Sequence, residues 1–200
     1  MDKQKFAQYM GIFLEENSKL NLISKNDETF LWEKHICDSL AIEEFFNKFG
    51  IDNLKGKTLL DIGTGGGFPS IPIAINYPEL KITALDSIGK KIRAINEMKS
   101  QLELENLETI CDRAENIEGK HFDFVVSRAV AALKKLLPYA IPLIKKDGFF
   151  VAYKSLKAQE EITEAQDVLS ECRAKVVEVI EYSLPLKENY TRNLIVIKKF

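Results

Sequence analysis

The chain of 200 residues has little of what metal centres and disulfide frameworks require. Its three cysteines are odd in number, far apart and without C-x-x-C spacing, and its two histidines form no familiar metal-ligand spacing with them. We therefore expect no disulfide and no metal, and a reducing cytoplasm fits this composition. The residues concerned are Cys37, Cys111, Cys172, His35 and His121.

Long apolar runs and an excess of one charge are also absent. The longest apolar run, near Leu136, is interrupted by Pro138 and Pro142, and the first residues hold no apolar signal core, so neither a membrane span nor secretion is expected. The 28 basic and 30 acidic residues give a net charge of −2, which excludes indiscriminate binding of nucleic acid. Nucleic acid could be bound only by local basic patches, each explained as simply by a solvated surface. The patches are Lys90, Lys91 and Arg93; Lys134 and Lys135; Lys145 and Lys146; and Lys198 and Lys199.

Hydrophobic residues make up 46% of the chain, enough for one buried core. Apolar residues at helical spacing predict helices over 3–16 and 28–49, with Gly50 as a stop. From residue 57, short apolar segments alternate with helical patterns, which is typical of a parallel sheet covered on both faces. We therefore divide the chain into a helical extension, 1–50, and an α/β domain, 51–200.

The predicted order of elements ends in a reversed hairpin. The last two strand patterns are separated by about ten residues, too few for a parallel crossover. We expect a seven-stranded, mostly parallel Rossmann-like sheet whose last strand is antiparallel, unlike a dinucleotide-binding sheet. The predicted strands are Thr58–Ile62, Lys81–Leu85, Glu108–Cys111, Phe122–Ser127, Phe149–Tyr153, Lys175–Tyr182 and Asn193–Lys198. The predicted helices of the domain are Pro69–Asn76, Gly89–Leu104, Ala131–Lys146 and Ala158–Arg173.

A glycine-rich turn lies between the first predicted strand and helix, in the sequence LDIGTGGGFP from Leu60 to Pro69. Gly63, Gly65 and Gly67 permit a tight turn and close approach of a ligand to the backbone. The turn is not a P-loop, because no Gly-Lys-Ser/Thr follows. A nucleoside-containing ligand at this turn is the natural expectation.

Two acids flank this turn and indicate which nucleoside binds. Asp61 would repel a pyrophosphate, whereas S-adenosylmethionine (SAM) carries an ammonium and a sulfonium that a carboxylate favours. Asp86, 23 residues after Gly63 at the end of the second strand, is placed to accept hydrogen bonds from ribose hydroxyls. The alternatives are a turn-capping role for Asp61 and a helix N-cap role for Asp86. The combination predicts a SAM-dependent methyltransferase fold.

The ends of the third and fourth strands offer further candidates. Ala114 and Glu115 follow the third strand, where an adenine ring would lie, although a surface turn explains them equally. Arg128 follows the fourth strand, where the methyl acceptor should lie, and it stays charged, so it is an anchor and not a base. An ion pair with an acid such as Asp61 is its alternative role. Neither an Asn/Asp-Pro-Pro-aromatic run nor a Pro-Cys nucleophile is present.

Residues of the second extension helix complete the candidate site. His35 and Asp38 share one helix face that could cover the cofactor, although a structural role for a helical histidine is at least as plausible. Phe68, in the glycine turn, could stack on a base, or belong to the core.

Taken together, these residues resemble the small-subunit ribosomal RNA methyltransferase G family, also called glucose-inhibited division protein B, over nearly the whole chain. The matching segments are Asn21-Leu22; His35-x-x-Asp38-Ser39-Leu40; Asp61-x-Gly-x-Gly-x-Gly-Phe-Pro69; Leu85-Asp86-Ser87 with Lys90-Lys91; Arg113-Ala114-Glu115; Ser127-Arg128-Ala129; and Lys154. Ser70 and Ser155 depart from it, since the family often has glycine there.

The resemblance implies methylation of guanine N7 in 16S rRNA, in a loop near the decoding site, with SAM as donor. It implies SAM contacts at Gly63, Phe68, Ala114, Glu115 and Arg128. Candidate contacts to naked rRNA or the assembled small subunit are Lys90, Lys91, Lys154 and Arg192, with His35 and Arg128 positioning the acceptor. The alternatives are a small-molecule methyltransferase, a non-catalytic RNA-binding assembly factor and, more remotely, an NAD oxidoreductase.

Overall fold

The computed structural model describes residues 1–186 and 190–200, which fold around one seven-stranded sheet. The strands are β1 (Thr58–Ile62), β2 (Lys81–Asp86), β3 (Leu107–Cys111), β4 (Phe122–Arg128), β5 (Ile144–Lys154), β6 (Ala174–Leu184) and β7 (Tyr190–Lys199). The helices are α1 (Lys3–Leu20), α2 (Lys25–Glu28), a π-helix (Leu31–Cys37), α3 (Asp38–Leu40), α4 (Ile42–Lys48), α5 (Ser70–Asn76), α6 (Gly89–Gln101), a 3₁₀ turn (Ala114–Asn116), α7 (Leu133–Ala140), a 3₁₀ turn (Ile141–Leu143), α8 (Ala158–Glu164) and α9 (Gln166–Glu171).

The strand order is β3-β2-β1-β4-β5-β7-β6. The first five strands are parallel, and β7 runs antiparallel to both β5 and β6. The predicted seven-stranded, mostly parallel sheet with a reversed final strand is confirmed. This topology brings the carboxyl ends of β1 to β5 to one edge of the sheet, where ligands bind in open α/β folds.

Alternating side chains along the strands pack into cores on the two faces of the sheet. On β1, Leu59 belongs to the core under α5, α6 and the helical extension, whereas Leu60 belongs to the core under α7, α8 and α9. Phe6 and Phe13 of α1 are buried in the first of these cores. The extension therefore completes one face of the sheet, and the boundary at residue 50 stays a prediction.

Three predicted helices are shorter or divided in the structure, and one of them, Ala158–Arg173, forms the two helices α8 and α9. The pattern over 131–146 ends as a helix at Ala140, since Pro142 has no N–H to donate, and β5 begins at Ile144 instead of Phe149. The pattern over 28–49 is divided into a π-helix, α3 and α4. In contrast, α1 has clear ends: the Asp2 carboxylate accepts from the Lys5 N–H (3.0 Å), and Asn21 is left-handed with φ of 51°.

No helix in the described part of the chain is long and apolar enough to cross a bilayer. Within those same residues, no group of three or more His, Cys, Asp or Glu side chains is arranged to hold a metal ion. The three cysteines are free thiols.

Candidate active site

Two clefts open at the carboxyl edge of the sheet and share Ala129 and Val130. One, which we call the β2 cleft, is bounded by Gly63, Asp86, Lys91, Ala114 and Glu115. The other, which we call the β4 cleft, is bounded by His35, Asp38, Arg128, Lys154 and Arg192. Two ligands bound in these clefts would meet beside the segment that follows β4.

The glycine turn is held against the end of β2. The N–H groups of Gly63 and Thr64 both donate to the Leu85 carbonyl, at 2.8 and 3.0 Å. Gly63 has φ of +71°, and a Cβ on it would lie 2.5 Å from a methyl group of Val130. Gly65 and Gly67 are also left-handed, with φ of +60° and +92°. Only glycine fits this turn without strain, because both the backbone conformation and the space require it at Gly63.

Asp86 connects the glycine turn to α6. Its carboxylate accepts from the Gly65 N–H at 3.0 Å and from the Ile88 N–H at 2.9 Å, and it lies 3.8 Å from the Lys91 ammonium. A carboxylate has about four acceptor positions. Asp86 can therefore hold these backbone groups and still accept from a hydroxyl in the β2 cleft.

Asp61 lies beneath the glycine turn and is fully buried. One oxygen accepts from the Ser70 N–H at 3.2 Å, while Oδ1 has no partner among residues 1–186 and 190–200. Burial raises the pKa of Asp61 to about 7, against the opposing effects of Thr64, Ser70 and Arg128. The Ser70 hydroxyl lies 2.6 Å from that of Thr64, so the serine at this position is part of the support beneath the turn.

Ala114 and Glu115 are the first two residues of a 3₁₀ turn after β3 and face the β2 cleft. The N–H groups at the start of such a turn have no partner within it. They can donate to a ring edge lying in the cleft.

Arg128 binds the helical extension. Its Nη1 donates to Asp38 Oδ2 at 2.6 Å and to the Lys34 carbonyl at 3.2 Å, and its Nη2 lies 2.8 Å from His35 Nδ1. Asp38 also accepts from the Tyr182 hydroxyl at 2.7 Å. The acid that pairs with Arg128 is therefore Asp38 of the extension, whereas the sequence suggested Asp61. The pairing was not apparent from sequence because 90 residues separate the partners.

His35 is uncharged at neutral pH. Burial, followed by the Arg128 charge, lowers the pKa of His35 to about 4. Since the guanidinium donates to Nδ1, the ring proton lies on Nε2, which is buried without a partner. His35 lines the β4 cleft as a neutral ring.

Phe68 lies in an aromatic cluster next to Arg128. Its ring is 5.0 Å from those of Phe13 and His35, and the guanidinium carbon lies 5.3 Å from its centroid. Only 4% of Phe68 is exposed, so its ring is part of the packing against His35 and Arg128 and is not an open stacking surface.

Lys154 and Glu161 hold the segment after β4. The Lys154 ammonium donates to the Ala131 carbonyl and pairs with Glu161, both at 2.7 Å, and Glu161 accepts from the Leu133 N–H at 2.7 Å. Within this segment Ala129 is left-handed, with φ of 55°. Glu161 gave no signal in the sequence beyond being one of several acids on a predicted helix.

The remaining sequence candidates lie apart from one another. Lys91 reaches the β2 cleft, Arg192 lines the β4 cleft next to the Tyr190 ring (5.0 Å), and Lys90 is exposed on α6. These three cations therefore face different surfaces.

Buried polar atoms without partners gather in this region. Besides His35 Nε2 and Asp61 Oδ1, they include Tyr9 Oη, Ser127 Oγ and Arg128 Nε. The Arg128 charge acts on the pKa of Tyr9, His35 and Asp61, which places those groups around its guanidinium. Buried polar atoms normally have partners, so this group can accommodate polar ligand atoms or water.

Known proteins resemble this chain over nearly its whole length. The family described as rRNA small subunit methyltransferase G matches residues 2–195. A ribosomal RNA small subunit methyltransferase G of Staphylococcus saprophyticus is 39% identical over 201 residues, covering 98% of this chain and 82% of the relative. The protein of the same name from Bacillus licheniformis has the same identity to this chain and the same coverage of both chains.

Solved structures of other methyltransferases share the fold at low identity. A putative RNA methyltransferase from Pyrococcus horikoshii superposes with a TM-score of 0.59 and 13% identity, covering 80% of this chain and 83% of that one. A ribosomal protein L11 methylase from Lactobacillus delbrueckii gives 0.59 and 18%, covering 82% and 77%. The fold is thus that of Rossmann-like methyltransferases, and the sequence match places the chain in the rRNA small subunit methyltransferase G family.

Proposed function

We propose that this protein transfers a methyl group from SAM to N7 of a guanine in 16S rRNA, in the loop near the decoding site. The observation that carries the proposal is the meeting of the β2 and β4 clefts beside Val130. The first has an acid and backbone donors suited to a nucleoside. In the second, three cations each pair with an acid of the same cleft, whereas Arg192 forms no ion pair among the described residues and is suited to a phosphate. The names of the 39% identical relatives supply the rRNA substrate.

The residues of the β2 cleft suit SAM, which supplies an electrophilic methyl group on its sulfonium. Asp86 would accept from the ribose hydroxyls, and the N–H groups of Ala114 and Glu115 would donate to the adenine edge. The absence of a side chain at Gly63 leaves room for close approach to the backbone. Beside this cleft, Arg128 Nε is a buried donor with no partner among the described residues and would bind the cofactor carboxylate. Asp61, buried beneath the glycine turn, would lie near the cationic amino-acid end.

The residues at the β4 cleft suit an acceptor that needs no base. Guanine N7 has a free lone pair and no proton to lose, so neutral His35 and permanently charged Arg128 are sufficient for orientation. Aligning the reacting atoms and excluding water can contribute roughly 7–11 kcal/mol in well-oriented cases. Arg128 holds the extension over the cleft, and Lys154 with Glu161 fixes the segment on which the acceptor rests.

Cations around the clefts would bind the rRNA backbone. Arg192 and Lys154 border the β4 cleft, and Lys90 and Lys91 stand at the start of α6. Lys154 is already paired with Glu161, so we assign to it the positioning of the segment after β4 and to Arg192 the phosphate contact.

In the direct test, the protein is incubated with labelled SAM and small ribosomal subunits from an unmodified strain. The rRNA is then digested and the labelled nucleosides are identified. We expect 7-methylguanosine, and its absence while a positive control works would refute the proposal. Label in a metabolite fraction would indicate a small-molecule methyltransferase. Calorimetry showing no SAM binding would indicate a non-catalytic assembly factor.

Two matched variants separate the roles of the clefts. Asp86→Ala should weaken SAM binding, whereas Asp52→Ala, which removes an exposed acid that lines neither cleft, should not. Equal SAM affinity in wild type and Asp86→Ala would remove the ribose assignment. Arg128→Ala should lower turnover or RNA binding and also weaken SAM binding, because its Nε is the proposed partner of the cofactor carboxylate.

A further inference from the structure

A concentration of basic side chains lies at the edge of the sheet opposite the two clefts. We call it the basic edge, and it consists of Lys145, Lys146, Lys175, Lys198 and Lys199. These lysines come together because β7 is antiparallel, so that its end lies next to the starts of β5 and β6. They line one concavity, although they belong to three segments of the sequence.

Most of this charge is not neutralised within the protein. Lys145 pairs with Asp123 at 2.7 Å, whereas the other four lysines form no ion pair within residues 1–186 and 190–200. Lys175 and Lys198 lie directly opposite one another on β6 and β7. Like charges in such a pair are unfavourable for the sheet. Lys198 also lies over the Phe149 ring, 4.9 Å from its centroid, but this contact does not remove the repulsion between the two lysines, whereas an anion bound between them would.

The position of the basic edge indicates the size of its partner. On β4, Phe122 lies opposite Ile144 and Arg128 lies opposite Tyr153, so six steps of about 3.3 Å place the basic edge roughly 20 Å from the β4 cleft. A single nucleoside in the cleft cannot reach so far. A large structured polyanion that also occupies the cleft can.

We propose that the basic edge binds the phosphate backbone of the rRNA substrate at a place remote from the methylated guanine. This inference rests on the proposed function, since it takes its polyanion from there. Lysine ammonium groups are point charges that contact phosphates without reading bases, so the edge contributes affinity and orientation rather than sequence recognition. With a net charge of −2 overall, the attraction is confined to this edge and the cations around the clefts.

The test compares two triple variants with equal loss of charge. The edge variant is Lys146→Gln, Lys175→Gln and Lys198→Gln, and the control is Lys3→Gln, Lys5→Gln and Lys99→Gln, on α1 and α6. Binding to protein-free 16S rRNA is measured by fluorescence anisotropy at several salt concentrations. Calorimetry gives the SAM affinity, and methylation of small subunits gives KM and kcat. Thermal melting checks folding, and the double variant Lys146→Gln, Lys199→Gln substitutes for the triple one if it unfolds.

We expect the edge variant to bind rRNA about tenfold or more weakly. The slope of log K against log salt concentration should become shallower by about 2 to 3, because each lost phosphate contact changes that slope by about 0.7–0.9. KM for subunits should rise while SAM affinity and kcat stay unchanged. The control should match the wild type in every measurement.

Other outcomes refute the proposal in distinguishable ways. If the edge variant methylates subunits and binds rRNA as the control does, the basic edge proposal fails while the proposed function stands. A higher KM for subunits with unchanged binding to protein-free rRNA would indicate an acidic protein partner instead. If wild-type protein transfers no methyl group to subunits, the proposed function fails, and this proposal fails with it.

Discussion

Replacing Asp38 with alanine tests how the helical extension is held to the sheet. The Asp38 carboxylate is buried, at 3% exposure, between the Arg128 guanidinium (2.6 Å) and the Tyr182 hydroxyl (2.7 Å). Its removal leaves a buried cation and a buried hydroxyl without their acceptor. We expect the free energy of unfolding to fall by about 3 to 5 kcal/mol, the usual cost of breaking a buried ion pair on one side.

The matched control is Asp27→Ala, in the same extension. Asp27 pairs with Lys34 at 2.8 Å, but both side chains are about one-third exposed, at 32% and 34%. An exposed pair contributes about 1 kcal/mol or less. The two variants therefore differ chiefly in the burial of the pair that is broken.

Urea unfolding followed by two probes measures both effects. Trp32, the single tryptophan, packs edge-on against Phe6 (5.6 Å) and reports on the extension, whereas far-UV circular dichroism reports on the whole fold. In Asp38→Ala we expect the midpoint of the fluorescence transition to fall to a lower urea concentration by at least as much as the midpoint of the dichroism transition. If Asp38→Ala loses no more stability than Asp27→Ala, the reasoning that burial makes this ion pair important is wrong.

Three further outcomes are expected. Gly63→Ala should abolish SAM binding in calorimetry and destabilise the fold by about 1–3 kcal/mol, because its Cβ would lie 2.5 Å from Val130. The control is Gly50→Ala, which has the backbone strain of a positive φ but no steric clash, and it should leave SAM binding unchanged. Because the pKa of Asp61 is raised to about 7, the protonated carboxyl stabilises the fold fully below about pH 4, and this stabilisation is lost as pH rises through 7. Urea unfolding of the wild type at several pH values should show a fall in the free energy of unfolding of up to about 4 kcal/mol, which Asp61→Asn should lack. Glu161→Gln should lower kcat about tenfold with SAM affinity unchanged, and an unaltered kcat would exclude its positioning role.

Local patterns in the sequence predicted the sheet well. Segments such as Thr58–Ile62, which is apolar except for Thr58 and Asp61, needed no tertiary information, because a strand covered on both faces is mostly apolar. The short connection before the last strand predicted its reversal for a reason of chain length alone. The error at residues 131–146 arose because helical periodicity continues through Pro142, although the proline cannot continue the helix.

The connections between distant segments could not be predicted in this way. Periodicity shows which face of a helix is apolar, but not which part of the sheet that face covers. The sequence offered an ion pair with an acid such as Asp61 as an alternative role for Arg128, whereas the structure pairs it with Asp38. Glu161 was missed for the same reason, since its role depends on the Lys154 ammonium and the Leu133 N–H, which only the fold brings to it.

The hydrogen bond between Asp38 and Tyr182 spans 144 positions of the chain, and Tyr153 donates to the Ser39 carbonyl across 114. During translation the first helices leave the ribosome early. Arg128 of β4 can bind them before the sheet is complete, but the hydrogen bonds from Tyr153 and Tyr182 form only when β5 and β6 have emerged. A nascent chain stopped before β6 therefore lacks the Tyr182 partner of Asp38.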